Sequence, residues 1–343
     1  MKGPELLLEV KGLKTYFFLD EGTVKAVEGA DFSLLRGGTL GIVGESGCGK
    51  TVTAYSITQL IESPGRIVEG QILFHRRLIG AEAGPATTEV VDLAKLRPGS
   101  RSICEIRGSE IGMVFQEPMT ALSPVHTIGD QIMEVILLHR KVSKKEARER
   151  AVEMLRHVGI PKSETRLDTY PFQLSGGMRQ RAMIAMALMC RPSLLIADEP
   201  TTALDVTMQA QILELMQRLQ REMGMAVILI THNLGVVAEV CEQVAVMYLG
   251  EVVEWANVEA LFADPLHPYT QALLCSIPKL GQSKKGRLDP IKGMVPDPYN
   301  RPAGCPFHPR CPQMIPGRCD QERPPLVTRP DGRTVRCVLY ADS

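Results

Sequence analysis

The 343-residue sequence carries no excess charge of either sign: Lys plus Arg and Asp plus Glu both total 39. Without a basic stripe it lacks the electrostatic footprint of a nucleic-acid binder, and no nucleic-acid partner is expected. Long apolar runs are missing too. The longest, Ala182 to Cys190, falls far short of the ~20 residues needed to cross a bilayer, so any membrane role must pass through partners. The opening residues Met1-Lys2-Gly3-Pro4-Glu5 lack the apolar core and small-residue cleavage site of a secretion signal. No disulfide framework is therefore expected of the nine cysteines. Cys48, Cys104, Cys190, Cys241 and Cys275 are scattered, and the other four crowd into the tail.

What is present is organised around Gly44 to Thr51, which reads Gly-Glu-Ser-Gly-Cys-Gly-Lys-Thr. It fits the G-x-x-x-x-G-K-[ST] phosphate-binding loop. An apolar run, Leu40 to Val43, precedes it, and Thr51 to Ile57 can start a helix, giving the strand, loop, helix context the motif requires. Glycines let successive backbone N–H groups turn toward a polyphosphate, and the helix N-terminus adds its positive dipole end. In this reading Gly44, Glu45, Ser46, Gly47, Cys48, Gly49, Lys50, Thr51 and Val52 surround the polyphosphate of a nucleotide. Lys50 reaches the β- and γ-phosphates and the Thr51 hydroxyl ligates Mg²⁺.

Upstream, residues 6–17 alternate well enough for a strand ending in Tyr16-Phe17, either of which could stack on an adenine ring or simply pack in the core. Val24 to Leu35 and Val68 to Phe74 read as further strands. Residues 78–101 are rich in Gly, Ala, Pro, Thr and Ser and read as a surface insertion without assigned role. Ile111 to Phe115 has a buried-strand pattern that breaks at Gln116-Glu117-Pro118, leaving Gln116 able to touch a metal or water beside the phosphates. Ser143 and Glu146 form a capping box opening a helix that Gly159 closes.

A second informative stretch is Gln173-Leu174-Ser175-Gly176-Gly177-Met178-Arg179-Gln180-Arg181, ahead of an apolar helix. Ser175, Gly176 and Gly177 make another anion-receptive helix N-terminus. Because the phosphate loop already serves this chain's own nucleotide, the second one implies a nucleotide shared with another subunit. Leu194 to Ala197 then runs into Asp198-Glu199, delivering two carboxylates to a strand end, where ligands sit in open α/β sheets. Asp198 suits Mg²⁺, and Glu199 suits polarising an attacking water. Asp205 follows Ala203-Leu204 and can cap a helix or bridge a partner. Ala226 to Ile230 is another buried strand ending at Thr231-His232; Val244 to Val253 reads as a hairpin around Gly250, and Val258 to Ala263 as a helix.

In this order, the motifs resemble the nucleotide-binding subunits of ABC transporters. The resemblance covers residues 5–255 and rests on the phosphate loop, the Gln116 loop, Leu174-Ser175-Gly176-Gly177, the Asp198-Glu199 strand, Ala203-Leu204-Asp205 and His232. It implies an α/β phosphate-loop NTPase fold of the ABC ATPase type, with an N-terminal antiparallel β part, an ATPase domain over 1–262 and a helical subdomain at about 117–174. It also implies head-to-tail pairing of two such subunits around each nucleotide, with Glu199 as the base-like residue, His232 on the γ-phosphate, Gln116 sensing Mg²⁺ and linking to membrane subunits, and Phe17 as the adenine-stacking aromatic. Gln116 to Pro124, His267 to Leu274 and the cysteine tail resemble the dipeptide/oligopeptide importer subgroup. The implied partners are a second ATPase subunit, two permease subunits and an extracytoplasmic substrate-binding protein, with the chain peripheral on the cytoplasmic face of the membrane. Nickel or another small solute remains an alternative cargo. A non-transport ABC ATPase and a redox-sensing module are the rival functions.

Residues 263–343 form a tail rich in Pro, Gly and Arg with too little apolar periodicity for a core of its own. Its Cys305, Cys311, Cys319 and Cys337 suit Zn²⁺ or a [4Fe–4S] cluster, and their spacing leaves the choice open. The resemblance implies the [4Fe–4S] cluster.

Overall fold

A computed structural model of the chain describes residues 5–78, 87–202, 204–276 and 291–341. Its first elements are β1 (Leu6–Leu19), β2 (Gly22–Leu35), β3 (Thr39–Val43), α1 (Lys50–Thr58), β4 (Gly65–Leu78), β5 (Thr87–Asp92), α2 (Arg101–Ile106) and β6 (Ile111–Val114). A helical stretch follows, with α3 (Pro118–Ala121), α4 (Ile128–His139), α5 (Lys144–His157), α6 (Ser163–Arg166) and α7 (Gly176–Leu188). Then come β7 (Leu194–Asp198), α8 (Val206–Met223), β8 (Ala226–Ile230), α9 (Leu234–Val240), β9 (Gln243–Tyr248), β10 (Glu251–Asn257) and α10 (Val258–Ala263). The tail supplies α11 (Pro268–Cys275), β11 (Leu326–Thr328) and β12 (Thr334–Arg336).

Two compact units divide the chain. One is built mainly from residues 96–230. In it β6, β7 and β8 run parallel, with Ile111 opposite Leu194 and Leu194 opposite Ala226. Every residue of β7 and β8 is buried, which is why these strands read as unbroken apolar runs rather than alternating ones. Helix α7 lies hard against β6: a Cβ at Gly112 would come within 2.4 Å of the Ala187 carbonyl oxygen. Helix α8 buries Ile212, Leu215, Met216 and Leu219, one face at helical spacing, and ends at Gly224 in the left-handed conformation. Between Gln116 and Ser175 all regular structure is helical.

The other unit holds residues 6–34, 39–95 and 231 onward. Its strands lie in the order β5-β4-β1-β2-β10-β9-β3, with β12 pairing β10 and β11 pairing β12. The β9–β10 hairpin turns at Leu249-Gly250, both at positive φ (42° and 79°), the geometry of a tight two-residue turn around the expected glycine. Residues 87–95 depart from the surface insertion read in the sequence. β5 pairs with β4 from Leu73 opposite Asp92 onward, Leu93 is fully buried, and the Gln59 side chain donates to the Leu93 carbonyl at 2.8 Å. Cross-strand pairing and a single buried leucine organise what local periodicity left blank; residues 79–86 of that stretch lie outside the described residues.

Candidate functional site

The phosphate loop leaves β3 and enters α1 through Gly49, whose φ of 101° starts the helix. Lys50 is buried, and its ammonium donates to the carbonyls of Gly44 at 3.0 Å and Glu45 at 3.1 Å, so the loop is folded around it. A Cβ at Gly44 would sit 2.2 Å from the Met247 carbonyl oxygen, and one at Gly49 2.3 Å from that of Ala26. These two positions take glycine for space as well as for φ. Ser46 and Gly47 are exposed, Thr51 and Val52 half-buried, and burial pushes the Cys48 thiol up, so it stays neutral beside Lys50.

In the other unit, Asp198 is 1 % exposed at the end of β7 and Glu199 follows it in the left-handed conformation, φ 44°. Such a backbone costs a non-glycine residue about 1–3 kcal/mol. It is held by the Glu199 N–H donating to the Ile230 carbonyl at 2.9 Å. The Glu199 carboxylate accepts from Gln116 at 3.3 Å and Thr202 at 2.9 Å. The structure thus brings together Gln116 and Glu199, 83 residues apart. The Thr202 contact carried no signal in the sequence beyond proximity to the acidic pair.

Ser175 caps α7, accepting from the Met178 N–H at 3.4 Å, and both Ser175 and Gly176 are exposed with open space around Gly176. Gly177 is buried; a Cβ there would strike Met208 at 2.1 Å. Asp205 caps α8 by accepting from Met208 N–H at 2.9 Å, while Ala203 of the same motif lies outside the described residues. His232 follows β8 in sequence and is exposed. Phe17 lies over Gly65 and Ile61: a Cβ on Gly65 would meet its ring at 2.6 Å. Tyr16 lies under the Lys25 ammonium, 5.4 Å from the ring centre, and Lys25 lines a small pocket with Gly47 of the phosphate loop. Tyr16 thus has a link toward the phosphate loop through Lys25, beside Phe17, the aromatic that spacing favours.

All nine cysteines are free thiols. Cys305, Cys311, Cys319 and Cys337 line one tight pocket of about 10 Å³ with His267, Phe307 and His308. Burial pushes the Cys305 thiol up to about 12 and Cys337 up to about 11, and the neighbouring thiols add to both. Among the described residues no three His, Cys, Asp or Glu side chains converge closely enough to hold a single metal ion. Neither the zinc nor the iron–sulfur expectation therefore finds a ready ligand set among the described residues.

Comparison with known proteins agrees with these motifs. The ABC transporter family matches residues 27–202, and the oligopeptide/dipeptide transporter C-terminal region matches residues 253–319. The oligopeptide transport ATP-binding protein AppD of Bacillus subtilis (strain 168) is 50% identical, covering 98% of this chain and 97% of that protein. The dipeptide transport ATP-binding protein DppD of Escherichia coli (strain K12) is 46% identical over 98% and 97%. Among solved structures, a dimeric post-hydrolysis state of an ATP-binding cassette bound to ADP and Pi superposes with a TM-score of 0.62 at 26% identity, covering 74% of this chain and 99% of the other. Sequence motifs, fold and relatives agree: the chain belongs to the ABC transporter family of ATPases, with the C-terminal region of its oligopeptide/dipeptide group.

Proposed function

We propose that this chain hydrolyses ATP to power uptake of di- or oligopeptides through a membrane importer. The observation that carries the reading is near full-length similarity to oligopeptide and dipeptide transport ATP-binding proteins, joined to a phosphate loop already folded around Lys50. Lys50 would neutralise charge on the β- and γ-phosphates, and the Thr51 hydroxyl and Asp198 carboxylate would hold Mg²⁺. Mg²⁺ supplies charge neutralisation at the transferred phosphoryl group. Glu199, oriented by Gln116 and Thr202, polarises the attacking water. His232 holds the γ-phosphate, and Tyr16 or Phe17 stacks on the adenine. Ser175 and Gly176, exposed at the start of α7, close over the nucleotide of a second ATPase subunit. The dimeric state of the solved cassette bound to ADP and Pi supports that pairing.

The reading places the chain peripherally on the cytoplasmic face of the membrane; no helix among the described residues is long and apolar enough to cross one. Two permease subunits and an extracytoplasmic substrate-binding protein complete the importer. A cleft of about 720 Å³ on α4, α5 and the end of α7, with Arg140, Lys141, Arg150 and Arg191 around apolar Ile136 and Met154, supports docking of a permease. The ATPase domain spans 1–262 with its helical subdomain at about 117–174, and 263–343 is the tail. Cys305, Cys311, Cys319 and Cys337 would hold a [4Fe–4S] cluster; that the four line one pocket supports the reading. Its chemistry there is to staple the tail.

The test is to purify the chain with its membrane complex and measure peptide-stimulated ATP hydrolysis. Glu199→Gln is expected to abolish turnover while nucleotide-bound dimers persist. Near-normal hydrolysis by that variant removes Glu199 from the mechanism, and a chain that recovers no permease is not an importer subunit.

A further inference from the structure

One residue of the phosphate loop has its polar groups taken by the tail. The Glu45 N–H donates to the Tyr269 hydroxyl oxygen at 3.0 Å. The Glu45 carboxylate accepts both arms of the Arg310 guanidinium, at 2.7 and 3.0 Å, a two-pronged pair. Only the Glu45 carbonyl faces inward, to Lys50.

Both tail residues are themselves fixed. Arg310 has a side chain only 3 % exposed; it also donates to the Lys292 carbonyl at 3.2 Å and to the Tyr248 hydroxyl at 3.4 Å. Tyr269 is fully buried, and its N–H donates to Nδ1 of His267. The His267 N–H in turn donates to the buried Glu254 carboxylate of β10 at 2.8 Å. Phe307 locks the arrangement from below, with ring centres 5.2 Å from Tyr248 and 5.3 Å from Tyr269. A rigid tail therefore meets the loop at a carboxylate.

That carboxylate is an odd choice beside a polyphosphate, because a second anion there repels the ligand the loop exists to bind. Paired with a buried guanidinium, it becomes an anchor without net charge. We propose that Arg310 is a positioning residue for nucleotide: acting through Glu45, with Tyr269 on the same residue's N–H, it holds the phosphate loop in its binding shape and cancels a charge that would oppose ATP. The tail is thus part of the nucleotide apparatus of its own chain.

The experiment measures MgATP binding to the full-length purified chain by calorimetry, with thermal unfolding recorded for each variant. Arg310→Gln leaves Glu45 unpaired and is expected to weaken MgATP about tenfold. Adding Glu45→Gln removes the stranded charge and restores binding to within about threefold of the unaltered chain. A role for Arg310 in tail folding alone predicts no such rescue. Unchanged affinity in the single variant, or no recovery in the double one, overturns the proposal. If Arg310→Gln does not fold, Arg310→Lys decides: it keeps the charge and loses the fork, so an intermediate loss of about threefold is expected and native binding overturns the proposal.

Discussion

Gly44 sits at φ 153° with the Met247 carbonyl oxygen and Cys48 sulfur 2.2 and 2.7 Å from where a Cβ would be. Gly47, by contrast, has φ 78° with nothing within 4 Å. Gly44→Ala must displace backbone to fit and is expected to weaken MgATP more than about tenfold, whereas Gly47→Ala carries only backbone strain of about 1 kcal/mol. Titration of both variants with MgATP checks the order, and equal losses would show that space at Gly44 is not the determinant. The sequence points to the phosphate loop, Ser175 and the Asp198-Glu199 pair because such motifs act through local backbone chemistry at fixed spacing. What sequence could not show is how Glu199 is held: its left-handed backbone is fixed by the Ile230 carbonyl at the end of β8 and its carboxylate meets Gln116 from beyond β6, both tertiary events, while Thr202 adds a local contact.

At the scale of elements, caps and burial decide which predictions succeed. Ser143 opens α5, its side chain accepting from the Glu146 N–H at 3.2 Å, but the reciprocal half of the expected box does not form: the Glu146 carboxylate accepts from Arg150 at 2.6 Å. Helix α4 carries a complete reciprocal box: the Thr127 hydroxyl accepts from the Asp130 N–H at 3.1 Å, and the Asp130 carboxylate accepts from the Thr127 N–H at 3.3 Å. It escaped notice because aspartate stands where the usual box has Glu or Gln. Thr127→Ala is expected to cost about 1 kcal/mol, a midpoint shift of about 2–4 °C for a chain of this class. Thermal denaturation measures it, and an unchanged midpoint would mean that unfolding of this helix lies outside the observed transition. Strand β5 failed to register for the opposite reason, since its identity comes from pairing with β4 rather than from its own composition.

Across the whole molecule, the four tail cysteines test the largest remaining claim. Chain purified without oxygen is expected to be coloured and to carry about four iron atoms with matching sulfide. Cys319→Ser should lose them, and a colourless protein with stoichiometric zinc would reject the cluster. The sequence isolated these thiols by crowding alone, whereas the pocket they share depends on Phe307 seating among Tyr248, Tyr269 and His267. The order of the motifs was readable because each is local; the grip of tail on phosphate loop was not, because Glu45 and Arg310 lie 265 residues apart.

Glu251, at the start of β10, is 1 % exposed and receives three guanidiniums, from Arg301, Arg323 and Arg336. Burial alone pushes its carboxyl up, and all three arginines pull it back. Since each comes from a different stretch beyond residue 300, a shortened protein ending near α10 would expose the β10 strand with a stranded anion at its root. Removing one member of a buried ion pair costs about 3–5 kcal/mol, a large share of any domain's margin. Residues 301–336 are therefore no detachable accessory: their arginines keep the root of β10 neutralised.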